Sequence, residues 1–185
     1  MAKQPFDQML VRRSGRVWRR QGGLPLCEVC GQHEGCDLRA ALSTLGAARR
    51  ATVMVSECGA FMPVVGFQDT TGLDREEFNT FRRGRGWANR VFAGCRVALC
   101  DIGAGRLIGT AVVTDVHVAP LGELLGQHAA TNHLMLAVEE ARAPEELHRV
   151  LRRLYGTTYA AASQEFSVIA LRRERDDRTR DRQGN

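Results

Sequence analysis

The stretch that most constrains this chain runs from Phe78 to Val118. Two β-rich runs, Val97-Ala98-Leu99-Cys100 and Leu107 to Val118, are joined by the turn Gly103-Ala104-Gly105. Such a pair predicts a β-hairpin, because glycine supplies the positive φ that a tight turn needs. In the second run Val112, Thr114, Val116 and Val118 alternate with Val113, Asp115 and His117. That is the period of a strand with one buried face. Ahead of the hairpin lies a loop holding Arg82, Arg83, Arg85, Arg90 and Trp87. This loop is expected to take part in whatever the protein binds.

The flanking sequence predicts an α+β fold. Phe61, Val64, Val65 and Phe67 suit a buried strand, bounded by Pro63 and Gly66, and Asp74 to Phe78 suits a helical turn. Leu121 to His128 reads as a helix opened by Pro120, and the polar link Ala129 to His133 is placed beside a cleft. Pro144 to Tyr155 is a second helix. Its stripe is Leu147, Val150, Leu151 and Leu154, with acids at its start, arginines near its end and Gly156 as its stop. Glu165 to Leu171 reads as the strand that completes the sheet. The tail from Arg172 to Asn185 has no apolar residue and is expected to be disordered.

With 185 residues, one domain with an appendage or two small domains are expected. No apolar run approaches the roughly 20 residues of a membrane helix, and the first residues lack the apolar core of a secretory leader. A cytoplasmic protein with no membrane partner is therefore expected. The net charge is +5, and all of it lies in residues 1–22, where six cations face one anion. Such an arm can follow a phosphate backbone or stay a solvated terminus. Lys3 is the only lysine, so no lysine in the folded body serves as base or Schiff-base nucleophile.

Four of the six cysteines, Cys27, Cys30, Cys36 and Cys58, have the spacing C-x2-C-x5-C-x21-C. A C-x2-C turn points two thiolates at one ion, and two more complete a four-thiolate shell for zinc or a 4Fe-4S cluster. The spacing leaves the choice between these open, and His33 is a possible substitute ligand. Unconnected reduced thiols are the structural alternative. Leu38, Ala41, Leu42 and Leu45 recur at helical spacing from Asp37 to Gly46, and Thr52 to Ser56 reads as a strand delivering Cys58. Cys95 and Cys100 read as core residues.

From about Phe78 to Leu171 the chain resembles an ASCH domain of the PUA-like superfamily. The resemblance rests on Thr80-Phe81-Arg82, the turn from Phe92 to Arg96, the glycine-separated strand pair, and the Leu-Gly-Glu-Leu of residues 121–124. Leu154 to Gly156 and Phe166 to Ile169 also match. It implies a small PUA-like β-barrel with flanking helices and a cleft for RNA or a modified nucleoside. The closest-looking members are small bacterial amidohydrolases that deacylate acetylated cytidine with a lysine, a threonine and a glutamate. Thr80 matches the threonine and is the catalytic candidate. The lysine position falls near Asn79 or Glu77 and the glutamate near Asn132, so neither side chain is kept, with Glu139 or Glu140 the nearby acids.

The expected organisation is a basic arm (1–22), a cysteine-rich metal module (23–66), the ASCH-like domain (67–171) and a charged tail (172–185). The expected function is binding of RNA or a nucleotide through Arg82, Arg83, Arg85, Trp87 and Asn132. The alternative is a hydrolase of a modified nucleobase or nucleoside using Thr80 with His128 or His133. A third reading is a regulatory protein whose metal module meets a protein partner. Oligomeric state and natural ligand are left open by the sequence.

Overall fold

The computed structural model of the protein describes residues 11–14, 17–20, 30–32, 35–49 and 57–174. Strands β1 (Val11–Ser14), β2 (Val17–Arg20) and β3 (Glu57–Cys58) form an antiparallel sheet in that order. Part of the basic arm is therefore a hairpin, and Trp18 pairs with Cys58 across it. Helix α1 (Asp37–Arg49) carries Asp37 in its first turn, where a carboxylate complements the helix dipole. It runs past the stop expected at Gly46. A glycine ends a helix only by turning left-handed, and Ala47 and Ala48 beyond it favour continuation. The stripe read on this helix is not a buried one at its start: Leu38 is 52 % exposed and Ala41 is exposed. The strand expected over 52–56, the tail beyond residue 174, Cys27 and His33 lie outside the described residues.

The larger sheet holds β4 (Val64–Phe67), β5 (Glu77–Arg83), β6 (Arg96–Asp101), β7 (Arg106–Pro120) and β8 (Glu165–Arg173), in the order β4-β6-β7-β8-β5. The β4–β6 pair is parallel and the rest are antiparallel. The sheet curls into a half-barrel. Its edge strands β4 and β5 are not hydrogen-bonded to each other, so a seam stays open between them. The domain boundary expected between residues 66 and 67 falls inside β4. Glu77 and Phe78, expected in a helical turn, begin β5, because Phe78 is buried opposite Leu171.

The predicted hairpin is β6–β7, in register from Arg96↔Val112 to Asp101↔Arg106. The alternation read along β7 changes phase at Thr114. Val113 pairs with Leu171 and Asp115 with Ala170, so Thr114 is an extra residue, a β-bulge. Ala111 and Val113 are buried before it, and Val116 packs on the same core after it.

Inside the curl Val65, Phe67, Phe78, Leu99, Val113 and Ile169 form one core. On the outer face α2 (Leu121–His128) and α3 (Ala143–Tyr155) bring Leu121, Leu124, Leu147 and Leu151 onto Phe81, Phe166 and Val168. Each such fully buried side chain contributes about 1.5–3 kcal/mol. The central strands are covered on both faces, which is why β6 and β8 read as continuous apolar runs. Helix α3 has the predicted charge polarity, with Glu145 and Glu146 first and Arg152 and Arg153 last, and it stops at Gly156 with φ +86°. Among the described residues no helix is long and apolar enough to cross a membrane.

A candidate nucleotide pocket at the open seam

A pocket of about 580 Å³ sits where β4 and β5 part. Gly66 and Phe67 of β4 form one side and Thr80, Phe81 and Arg82 of β5 the other. Helix α3 supplies Leu147, Leu151, Leu154 and Tyr155, and the segment after α2 supplies Asn132, His133 and Met135. A largely apolar cavity of this size with a few convergent polar groups has the character of a small-molecule site.

Strand periodicity places its charge. Thr80 and Arg82 are two residues apart on β5, hence on one face, which turns into the curl. Arg82 Nη2 crosses the seam and donates to Gly66 O at 2.8 Å. Its guanidinium lies between two rings, 5.1 Å from the centre of Phe67 and 5.7 Å from Trp87. The residue as a whole is half-buried, but Nε is covered and has no hydrogen-bond partner. No carboxylate pairs with Arg82 among the described residues. Burial pushes its pKa down, yet a guanidinium stays charged at neutral pH. The chain has thus placed a cation in a pocket wall without an anion, which costs several kcal/mol unless something compensates it.

The other arginines of the loop go elsewhere. Arg83 is exposed and lies 4.6 Å over the Tyr159 ring. Arg85 holds Glu165 with two hydrogen bonds of 3.1 and 2.8 Å on the surface. Trp87, expected as a free stacking surface, is half-buried and already stacked on Arg82 and on Arg90. Of the candidates in that loop only Arg82 lines the pocket. The physical reason is alternation: successive residues of a strand end cannot aim at one place. Arg153, from the last turn of α3, is a second pocket guanidinium that the sequence reading did not single out. Its only signal was its place on the helix turn before the chain reverses.

Asn132 lines the pocket, but its amide is spent on structure. Nδ2 donates to the backbone and side-chain oxygens of Asn79 at 3.3 and 3.2 Å, and Oδ1 accepts from Leu134 N–H. Thr80 is buried in the pocket wall, and its hydroxyl makes no hydrogen bond among the described residues. His133 is buried edge-on to Phe67 and Phe78. Its Nδ1 lies 2.9 Å from Thr71 O, so Nδ1 carries the proton and Nε2 the lone pair. Burial first, and the Arg82 charge after it, hold the His133 pKa below its ordinary value and keep the ring neutral at pH 7. His128 is outside the pocket, stacked at 4.6 Å on His117, which is itself 2.9 Å from Asp115. Glu139 and Glu140 are exposed and outside the pocket, so its single carboxylate is Asp69, at the rim.

In the cysteine segment Cys30, Cys36 and Cys58 are half-buried free thiols. Met62 N–H donates to Cys30 Sγ at 3.4 Å. Burial raises the Cys30 pKa, and the nearby Cys58 and Cys36 thiols raise it further. No three His, Cys, Asp or Glu side chains gather closely enough to hold a metal among the described residues, which do not include Cys27.

No family model matches the chain, and no curated protein does. A solved structure does. It is protein EF3133 from Enterococcus faecalis V583, described with the family model DUF984. The two share 10 % identity over 71 % of this chain and 84 % of that one, with a TM-score of 0.43.

Proposed function

We propose that the seam pocket binds a nucleoside or nucleotide, with the anionic group at Arg82 and the base against the apolar wall of α3 and Phe67. The observation that carries this reading is the uncompensated Arg82 guanidinium in a cavity of about 580 Å³. A phosphate supplies the missing anion, and charge-assisted hydrogen bonds to it are about twice as strong as neutral ones. A mononucleotide fits better than an RNA strand, because Arg83 and Arg85 are engaged on the surface rather than aligned beside Arg82. The test is titration calorimetry with the four nucleoside monophosphates and with inorganic phosphate. Micromolar binding of at least one nucleotide is expected. Binding of none, or equal binding of phosphate alone, refutes the reading. An RNA oligomer whose affinity falls steeply with salt would favour the strand instead.

Thr80 and His133 on one pocket favour a second reading, hydrolysis of an acylated nucleobase such as N4-acetylcytidine. Water would add to the acyl carbonyl, the C–N bond would break, and the amine would leave with a proton. Release of acetate that survives Thr80→Ala argues against it.

A metal held by Cys27, Cys30, Cys36 and Cys58 belongs to the same proposal, as a structural clamp for the segment ahead of the sheet. Metal analysis after anaerobic purification tests it. Zinc or iron near one equivalent per chain is expected, with a brown colour for the iron–sulfur case, and metal-free folded protein would end the idea.

A further inference from the structure

The outer edge of β5 carries a second signal, independent of Arg82. Hydrogen bonds outside the ladder fix which residues of β5 face β8. Gly84 N–H donates to Glu165 O, and Arg173 N–H to Glu76 O, so the even-numbered residues from Glu76 to Gly84 face β8. In an antiparallel pair the alternate residues turn their N–H and C=O the other way. Asn79 confirms this. Its N–H donates to Thr131 O and its C=O accepts from His133 N–H, as a short parallel bridge to Asn132. The next outward-facing residue is Phe81. A continued bridge would join its N–H to His133 O, but the chain turns away at Leu134, held by Asn132 Oδ1. Met135 N–H goes to Asn132 O instead of to Phe81. Among the described residues nothing closes on the outward N–H and C=O of Phe81, which is 4 % exposed and lines the pocket. Buried backbone groups are almost always paired, so an open donor and acceptor on one buried residue ask for a partner.

The geometry points to Phe81 as the residue that reads the ligand's heterocycle: its main-chain N–H and C=O grip an adjacent acceptor and donor on the edge of a nucleobase. A residue in extended conformation presents its N–H and C=O side by side. A uracil edge offers O4 and N3–H in that order, and a cytosine edge offers N3 and N4–H. The inference rests on the nucleotide reading and adds the part of the ligand that is recognised and the atoms that recognise it. It also separates the two poles of the pocket, with phosphate at Arg82 and base edge at Phe81.

The test begins with the tightest-binding nucleoside monophosphate. Its affinity is compared with that of the analogue methylated on the ring nitrogen of the pairing edge, N3 in a pyrimidine or N1 in a purine. Methylation is expected to weaken binding about tenfold or more, since it removes one hydrogen bond and leaves a buried backbone group unpaired. Phe81→Pro, which deletes the outward N–H at an edge position where proline is tolerated, should bind the parent nucleotide and its methylated analogue about equally weakly. Arg82→Met should lower affinity for the nucleotide but not for the nucleoside. A methylated analogue that binds within about twofold of its parent overturns the Phe81 assignment and leaves the nucleotide reading standing. If no nucleotide binds at all, the function proposed above fails, and this inference with it.

Discussion

Replacing Arg82 by methionine separates a binding cation from a structural latch. The substitution removes one charge-assisted hydrogen bond to Gly66 O, about 1.5–3 kcal/mol. It also removes two cation–π contacts, to Phe67 and Trp87, of about 0.5–1 kcal/mol each. Against this, a thioether between two rings recovers about 0.3–1.5 kcal/mol per contact. The cost of covering a guanidinium with an unbonded Nε, several kcal/mol, disappears as well. The opposing contributions nearly cancel, so folding stability should change by no more than about 1 kcal/mol, or rise. In a chain of this size that is a shift in Tm of roughly 2–4 °C. Ligand affinity should behave differently. Loss of a charged contact of about 1.5–3 kcal/mol weakens a nucleotide roughly 10- to 100-fold. Thermal unfolding and titration calorimetry on the same preparation give both numbers. A loss of more than about 3 kcal/mol of stability with unchanged nucleotide affinity would refute the reasoning, because the charge would then be compensated within the fold.

His133 and His128 both have pKa values held down by burial. The unfolded chain takes up protons on these rings near pH 6.5, the folded chain only at lower pH. Their contribution to stability is therefore complete above about pH 6.5 and is lost as pH falls below it. Urea denaturation across about pH 5 to 8 should show that decline, and His133→Gln should flatten it; an unaltered slope contradicts the assignment. Gly72 has φ +72°, and a Cβ there would stand 2.1 Å from His133 O, so Gly72→Ala should cost more than about 1 kcal/mol. Recovery of wild-type Tm in that variant would show that the 71–74 turn yields freely. Arg85→Ala should change stability by less than about 1 kcal/mol, since its pair with Glu165 is 66 % and 44 % exposed. A larger loss in a double-mutant cycle with Glu165→Ala would assign that pair a role the geometry does not suggest.

The elements with strong local chemistry were legible in the sequence. The glycine turn placed the β6–β7 hairpin, and charge polarity with Pro144 and Gly156 placed α3 almost to the residue. What escaped depends on partners distant in the chain. Glu77 and Phe78 look helical beside Asp74 and Arg75, but pairing with Leu171 and Arg172 makes them strand. The arginine run looked like one cationic surface, yet strand alternation and Glu165, some eighty residues on, sent its members in three directions. Arg153 entered the pocket because α3 packs across the seam, a fact of tertiary placement. The open groups of Phe81 have no sequence signature, since every residue carries the same main chain.

The extra residue at Thr114 makes the length of β7 a quantity under constraint in its own right. Side-chain sidedness in a strand has period two, so losing one residue there would invert everything downstream up to Pro120. Asp115 and His117 would be driven indoors while Val116 and Val118 met water. Among natural variants of this chain, replacements at Thr114 should be far more frequent than single-residue deletions.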